Sequence, residues 1–419
     1  MKKKLLLILI AFFATSVSGQ EVLFNKIYDN NIKTVLMYVG NDDTTMPIWD
    51  LESRIHLTLA FDNLGEDTKD YYYTIIHCNS DWTPSDLDQS EYIDGYFEDQ
   101  ISDYQSSFNT TINYTHYSMQ VPNDYMRPMI SGNYVLQVYE SSNRDAVVFN
   151  KRFMVVDRST NIEVLIRNLN ETSYFYNDQE LEIKVEYYGN DFYDINQNIK
   201  VQVLKNYNWT NYLELTQPDL IKDKEFIYNN FNVLKFKGGN EFHHFNTKNI
   251  HYVAENIRNI SFEDNMYHFL LMENRDRTFE DYQYVPDING RFKIDVTRSD
   301  FPHTEADYSY VYFTLKMDVP MQQGDIYVWG GLTNFDFTEE SKMRYNFEQK
   351  AYECRLQLKQ GYYNYQYVTL EKGKYDFTFI EGNHALTENQ YSILVYYHDY
   401  SGGYDRLIGV GEVNTKLNL

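Results

Sequence analysis

The chain contains little cysteine, with only Cys78 and Cys354 among its 419 residues. Small secreted proteins that are held together by disulfides need several cysteines at short spacings. These two lie far apart, in segments that we assign to different modules. The sequence therefore excludes a disulfide framework, and we expect the two cysteines to be unbridged.

Long apolar runs are absent after the first twenty residues. A transmembrane helix needs roughly 20 consecutive apolar residues, and no later stretch approaches that length. The N-terminus carries Lys2–Lys4 followed by an apolar run from Leu5 to Ala14, a pattern typical of a cleavable signal peptide. We therefore expect residues 1–19 to be removed, the mature protein to begin at Gln20, and no direct insertion into the membrane.

Basic residues are also scarce, because 37 Lys and Arg stand against 61 Asp and Glu, for a net charge of −24. Such an acidic chain repels phosphate backbones and anionic lipid surfaces. Nucleic acid is therefore not an expected partner.

Sequence motifs of enzymes are missing. The chain has no G-x-S-x-G elbow, no H-E-x-x-H and no glycine-rich phosphate loop. His77 and Cys78 are neighbours on a predicted strand, so their side chains point to opposite faces and cannot act as a pair. A free cysteine in such a strand is typical of a small buried hydrophobe. We predict no catalytic residues, no small-molecule substrate and no cofactor.

Acidic residues crowd positions 81–103 and raise the question of a calcium site. They are Asp81, Asp86, Asp88, Glu91, Asp94, Glu98, Asp99 and Asp103. Their spacing does not match the D-x-[DN]-x-[DN]-G frame of a calcium loop. His243, His244 and His251 have no cysteine or repeated spacing that would complete a zinc site. We therefore predict no bound metal.

Proline and glycine are few, at 8 and 19 residues, whereas tyrosine and phenylalanine are abundant, at 41 and 26. Aromatic side chains favour the pleated, half-buried surfaces of β-sheets. Apolar and polar residues alternate in ELEIKVEYY (180–188), IKVQVLK (199–205) and GRFKIDV (290–296), which is the period of a half-buried strand. These patterns predict an all-β fold of tandem β-sandwich modules, immunoglobulin-like or early-set in type.

The length of the chain suits two to four modules of ordinary size. Polar runs at 157–160 and 298–307 separate apolar, strand-like segments. We therefore expect an N-terminal β-sandwich-like domain at 20–157 with a long acidic and aromatic loop, a middle β domain at 158–300, and a C-terminal early-set-like sandwich at 301–419.

The order of several unusual segments carries a resemblance to a known family. They are HCNSDWTPSD (77–86), NYTHY (113–117), SGNYVLQVY (131–139), DINGRF (287–292), EGNHALTENQYSILVYYHD (381–399) and YDRLIGVGEVNT (404–415). Taken together, they make the chain similar to the plug-protein family of the type IX secretion system. The resemblance implies a non-enzymatic periplasmic protein that binds the giant outer-membrane translocon barrel and seals it when cargo is not engaged.

Two alternative functions remain open. The segment around Trp329 resembles early-set sandwiches related to glycogen-binding modules, but Phe335 and Phe337 stand where a sugar-stacking tryptophan is usual, and Trp329 is expected in the core. A carbohydrate-binding β-sandwich protein is therefore the second hypothesis. A secreted cargo or adhesin is the third; such cargo usually ends in a sorting domain, whereas this sequence ends GEVNTKLNL directly after its last predicted strands.

The segment 77–139 holds the candidate partner-binding residues Trp82, Asp86, Tyr96, His116 and Tyr117. Aromatic anchors within a polar rim concentrate the energy of protein interfaces. Buried aromatics with polar tips equally serve to hold a long connection against a sandwich. The sequence leaves both roles open, an interface with the barrel and internal packing.

Overall fold

The structure, a computed structural model, describes residues 21–65, 67–167, 177–189 and 192–416. The predicted signal peptide, residues 1–19, lies outside the described residues. The elements of residues 21–157 are β1 (Lys26–Ile27), β2 (Ile32–Val39), β3 (Ile48–Asp50), β4 (Leu57–Asn63), β5 (Tyr71–Cys78), α1 (Gln89–Tyr92), β6 (Ile93–Gly95), β7 (Asp99–Gln100), β8 (Asp103–Ser106), β9 (Thr115–Val121), β10 (Met126–Pro128), β11 (Gly132–Glu140) and β12 (Val147–Val156).

Residues 158–237 continue with β13 (Thr160–Arg167), β14 (Asp178–Tyr187), α2 (Ile195–Asn198), β15 (Ile199–Lys205), β16 (Leu213–Leu215), β17 (Leu220–Lys222), β18 (Glu225–Tyr228) and β19 (Lys235–Lys237). The remaining elements are β20 (His243–Asn246), β21 (Ile257–Glu263), β22 (Met266–Leu271), β23 (Asn274–Arg275), β24 (Phe292–Ile294), α3 (Pro302–Glu305), β25 (Tyr308–Lys316), β26 (Asp325–Trp329), β27 (Arg344–Asn346), β28 (Ala351–Lys359), β29 (Gly361–Glu371), β30 (Lys374–Asp376), β31 (Gln390–Asp399) and β32 (Tyr404–Asn414). Single 3₁₀ turns lie at Trp209–Asn211 and Gly331–Thr333.

The strands pair into three sandwiches. In the first, the sheet β1-β12-β11-β5-β7 lies opposite the sheet β2-β4-β9-β8, and both contribute to one apolar core. In the second, β13-β14-β18-β17 lies opposite β16-β15-β31-β32. In the third, β20-β29-β24 lies opposite β21-β22-β25-β28-β27. The prediction of an all-β fold built from β-sandwich modules is confirmed.

Period-two alternation explains why these strands have one buried face. In β25 the side chains of Val311, Phe313 and Leu315 point into the third core, while Tyr312 and Thr314 between them are only partly buried. Successive strand residues point to opposite faces of a sheet, so this pattern buries one face of the strand and leaves the other face partly exposed.

The strand pairing differs from the module limits that the sequence suggested. β15 pairs with β31 from Ile199↔Tyr397 to Lys205↔Tyr391, across the expected boundary at residue 300. The second sandwich is therefore discontinuous, and the third sandwich is inserted between β19 and β31. Pairing between strands nearly 200 residues apart leaves no local signal, which is why composition and turn residues placed the middle domain at 158–300 and the last at 301–419.

Candidate functional site

Tyr117, one of the five residues proposed from the sequence, is fully buried in the core of the first sandwich. Its ring stacks on Phe61 at 5.1 Å between centroids and meets Tyr71 edge-on at 5.0 Å. Its hydroxyl donates to the carbonyl of Lys69 and accepts from the Lys69 amide, both at 2.9 Å. These contacts assign Tyr117 to internal packing, with its polar tip satisfied by the backbone.

Trp82 is also buried, with 2% of its surface exposed, at the junction of the first two sandwiches. Its ring packs edge-on against Trp209 of the second sandwich at 4.9 Å, and the guanidinium of Arg152 lies over it at 4.3 Å. Such cation–π and aromatic contacts add to the energy of burial. Trp82 thus holds two sandwiches together, which favours the packing role for this residue.

His116 belongs to a buried polar cluster between the first and third sandwiches. Its Nδ1 lies 2.6 Å from Asp62 Oδ1, while Asp62 Oδ2 accepts from the Lys359 ammonium at 2.5 Å and from the Tyr308 hydroxyl at 2.6 Å. Burial by itself raises the pKa of Asp62, but the Lys359 charge and His116 outweigh it and hold that pKa below its usual value. The cluster is a fixed charge contact between the two sandwiches.

A second polar junction joins the first and second sandwiches at Asp405. Its Oδ2 accepts from the amide and hydroxyl of Ser80 at 3.0 and 2.6 Å, and Lys200 lies 3.3 Å away. Burial by itself raises the pKa of the Asp405 carboxyl. The Ser80 hydrogen bonds and the Lys200 charge outweigh burial, so the pKa of Asp405 lies below its ordinary value. Nearby, the Tyr396 hydroxyl donates to Asn133 Oδ1 at 2.8 Å. Charge-assisted hydrogen bonds of this kind fix the relative position of the two sandwiches.

Asp86 and Tyr96, unlike the other three proposed residues, are exposed to solvent. Tyr96 is 65% exposed and stacks on Tyr125, which is 57% exposed, at a centroid distance of 6.3 Å. Phe97, which follows Tyr96 in sequence, and Met129, which follows β10, are exposed at 41% and 44%. We call Tyr96, Phe97, Tyr125 and Met129 the aromatic face.

The pairing of β6 with β10 builds this aromatic face. Met126 pairs with Gly95, and the Tyr96 amide donates to the Tyr125 carbonyl at 2.7 Å. A Cβ at Gly95 would lie 2.1 Å from that carbonyl oxygen, and its φ of +107° favours glycine. Exposed Asp94 and Asp124 flank the tyrosines. Exposed aromatic rings within a polar rim are the composition of a protein-binding surface.

The remaining acids of the loop make local contacts. Asp88 and Glu91 form a capping box at the start of α1. Glu98 accepts from the hydroxyls of Tyr139 at 2.5 Å and Ser142 at 2.6 Å. Across the residues that the structure describes, no group of three or more His, Cys, Asp or Glu side chains is placed to hold a metal ion.

His77 and Cys78 lie side by side on β5 and are both buried. His77 Nδ1 lies 2.9 Å from the Ser85 hydroxyl, and burial lowers the pKa of His77 to about 4. Cys78 packs in the apolar cluster around Trp82, and burial raises the pKa of its thiol to about 12. Both Cys78 and Cys354 are free cysteines.

The region considered for carbohydrate binding is packed from within. Trp329 on β26 is 2% exposed, as expected for a core residue, and meets Phe335 edge-on at 5.0 Å. Phe337 stacks on Tyr375 at 5.3 Å, and both phenylalanines are partly buried against this cluster. These contacts give the two phenylalanines a packing role.

Sequence reasoning missed Tyr125, Phe97 and Met129 of the aromatic face, although Tyr96 was singled out. It also missed Asp62 and Lys359. The β6–β10 pairing brings Tyr96 next to Tyr125 across 28 intervening residues and has no turn signal of a short hairpin. Lys359 is the last residue of β28, in which residues otherwise alternate. A lysine at that position was the sequence feature that could have indicated a buried charge.

The described residues thus form an all-β protein of three sandwiches, with an exposed aromatic face on the first sandwich. Residues 32–157 match the model of the family described as "Type 9 secretion system plug protein 1st domain". The chain is also 34% identical to a crystal structure of a hypothetical protein from Parabacteroides merdae ATCC 43184, with a TM-score of 0.90, over 94% of this chain and 100% of that one. The chain belongs to the type IX secretion system plug protein family.

Comparison with curated proteins yields no match. Within the described part of the chain, no helix combines the length and apolar character that crossing a membrane requires.

Proposed function

We propose that this protein binds the periplasmic mouth of the outer-membrane translocon barrel of the type IX secretion system and seals it while no cargo is engaged. The observation that carries the proposal is the match of residues 32–157 to the first domain of the plug family. The same residues hold the aromatic face. The protein acts from the periplasm and performs no chemistry.

Sealing a wide aqueous pore requires a bulky body that keeps its shape. The polar clusters at Asp62 and Asp405 fix the first sandwich to the third and to the second, respectively. Buried charge pairs hold their geometry because separating them leaves an uncompensated charge. A body of three joined sandwiches is therefore suited to occlusion.

The aromatic face is the surface that we assign to the barrel. Cargo passage requires the plug to leave, which favours a contact of moderate area with a polar rim over an obligate apolar interface. Stacked Tyr96 and Tyr125, flanked by Asp94 and Asp124, have that composition. Asp86 is exposed on the same domain, and we propose it as a further contact with the barrel.

Deletion of the protein tests the proposal. We expect the outer membrane to become permeable to a large hydrophilic antibiotic while the barrel stays assembled, and restoration of the gene product to reverse the leak. We expect protein secretion to decrease by a smaller factor than the permeability increases, because the plug closes the pore without moving cargo. Unchanged permeability, with the barrel detected in the same membranes, would contradict sealing.

The compartment has its own test. Cell fractionation should recover mature protein beginning at Gln20 from the periplasm, or from the outer membrane only while the barrel is present. Protein that remains embedded in lipid after high-salt and mild-detergent washes, in cells without the barrel, would contradict a periplasmic plug.

A further inference from the structure

A cavity of about 500 Å³ lies where the three sandwiches meet. Trp82 and Lys151 line it from the first sandwich, Trp209 from the second, and Phe292 and Phe335 from the third. Its volume and its aromatic walls are those of a ligand pocket. The cavity is distinct from the aromatic face.

Two neighbouring cations on β12 line this cavity without a carboxylate partner among the described residues. Lys151 donates to the carbonyl of Val35 at 3.1 Å, and Arg152 donates through Nε to the carbonyl of Leu23 at 2.7 Å. Burial lowers the pKa of Lys151 to about 8 and that of Arg152 to about 10. Charges that are partly or fully withdrawn from water are normally paired, so unpaired cations at a cavity indicate an anionic ligand group.

Two further polar atoms of the lining residues are buried without a partner in the described chain. They are the indole Nε1–H of Trp82, a donor, and Oδ1 of Asp43, an acceptor. Asp43 Oδ2 accepts from the Ile294 amide at 3.1 Å, and burial raises the pKa of Asp43 to about 6. Unsatisfied buried polar groups cost free energy and call for a partner.

We propose that the cavity binds a short peptide segment that has a carboxylate and an apolar side chain. The carboxylate pairs with Lys151, a peptide carbonyl accepts from Trp82, and a peptide amide donates to Asp43. The aromatic walls hold the apolar side chain. This binding is independent of the sealing of a barrel.

The combination of unpaired groups selects a peptide over other anions. A fatty acid offers a carboxylate and an apolar body but no donor for Asp43. Inorganic phosphate has no apolar body for the walls formed by Trp209, Phe292 and Phe335. Asp43 and Asp336 also line the cavity and disfavour ligands with several negative charges.

Calorimetric titration of the full mature protein tests the proposal with matched probes. The tripeptide acetyl-Phe-Ala-Phe with a free C-terminal carboxylate should bind at least about tenfold tighter than the same tripeptide as its C-terminal amide, because charge-assisted hydrogen bonds are roughly twice as strong as neutral ones. Decanoate, which lacks peptide groups, should bind more weakly than the acid tripeptide. Absence of heat with both tripeptides at millimolar concentration would overturn the proposal.

Variants assign the preference to the cavity. Lys151→Met should bind the acid and the amide equally, whereas Lys151→Arg keeps the preference for the acid. Lys222→Met, which removes an exposed lysine of β17, is the matched control and should behave as the wild type. A melting curve establishes that each variant is folded. A preference that survives in folded Lys151→Met, equal affinity of the wild type for acid and amide, or equally tight decanoate would each contradict the assignment.

Discussion

The Lys359 ammonium lies 2.5 Å from Oδ2 of Asp62, and each side chain is 1% exposed. The pair joins β28 of the third sandwich to β4 of the first. Two charges in such a position are stable only together, because each compensates the desolvation of the other. The contact is therefore a fixed joint between sandwiches that are far apart in sequence.

Breaking this pair should destabilise the protein strongly. We expect Lys359→Met or Asp62→Asn to lower the free energy of unfolding by about 3–5 kcal/mol, since one buried charge is left alone. The double variant should lose less free energy of unfolding than the two single variants lose together. Urea unfolding followed by circular dichroism measures all three, and additive losses would contradict a direct coupling.

An exposed ion pair supplies the control for that measurement. Lys316 and Glu273 lie 3.7 Å apart and are each about a third exposed. Exposed pairs contribute roughly 0–1 kcal/mol. Lys316→Met should therefore leave the urea midpoint nearly unchanged.

Glu381 should make stability depend on acid pH. Its carboxylate accepts from Arg277 Nε at 2.8 Å and from the Tyr367 amide at 2.7 Å. Burial raises the pKa of Glu381, but Arg277 and His243 outweigh it and set the pKa at about 2, below the ordinary 4.5. A lowered pKa gives stability that is fully present above about pH 4.5 and is lost as the pH falls towards 2.

The variant Glu381→Gln lacks this ionisation and leaves Arg277 without its carboxylate. We expect its free energy of unfolding at pH 7 to fall by about 3–5 kcal/mol. We also expect the variant to lose less stability than the wild type between pH 4.5 and pH 2.5. Parallel pH profiles for the two proteins, measured by thermal unfolding, would contradict the role of Glu381.

The local part of this fold could be predicted from the sequence. Alternation in ELEIKVEYY indicated a half-buried strand, and β14 has Leu181, Ile183 and Val185 in the core. The pairing of β15 with β31 could not be predicted, because hydrogen bonds between distant strands depend on the whole fold. The same reason explains why Tyr96 was proposed but its neighbour Tyr125 was not. Residue type alone could not separate exposed Tyr96 from buried Tyr117.

Lys151 should lower the stability of the unliganded protein. Its folded pKa of about 8 lies below the ordinary 10.5, so the unfolded chain binds more protons between these values and wild-type stability should rise with pH across that interval. Lys151→Met removes an unpaired, partly buried cation, and we expect the variant to gain about 1–3 kcal/mol in free energy of unfolding at pH 7. Thermal unfolding should show a smaller stability difference between Lys151→Met and the wild type at pH 10 than at pH 7. A Lys151→Met variant that is less stable than the wild type at pH 7 would contradict the prediction.

Tyr96 and Tyr125 should affect binding to the barrel without affecting stability. The double variant Tyr96→Ser/Tyr125→Ser removes two exposed rings, so its melting temperature should stay close to that of the wild type. If the aromatic face contacts the barrel, co-isolation with the barrel should fall and the outer membrane should leak as it does in the deletion strain. Tyr117→Ala should instead lower the free energy of unfolding by about 3–5 kcal/mol, because it empties a buried aromatic site.

Phe279→Ser provides the matched control, because Phe279 is 98% exposed on the third sandwich and lies outside the aromatic face. It should keep both co-isolation and a sealed membrane. A pull-down beside a melting curve separates the roles, since loss of binding at unchanged stability assigns an interface and loss of stability assigns packing. Full co-isolation of the Tyr96→Ser/Tyr125→Ser variant, with an intact permeability barrier, would move the contact with the barrel to another surface of the plug.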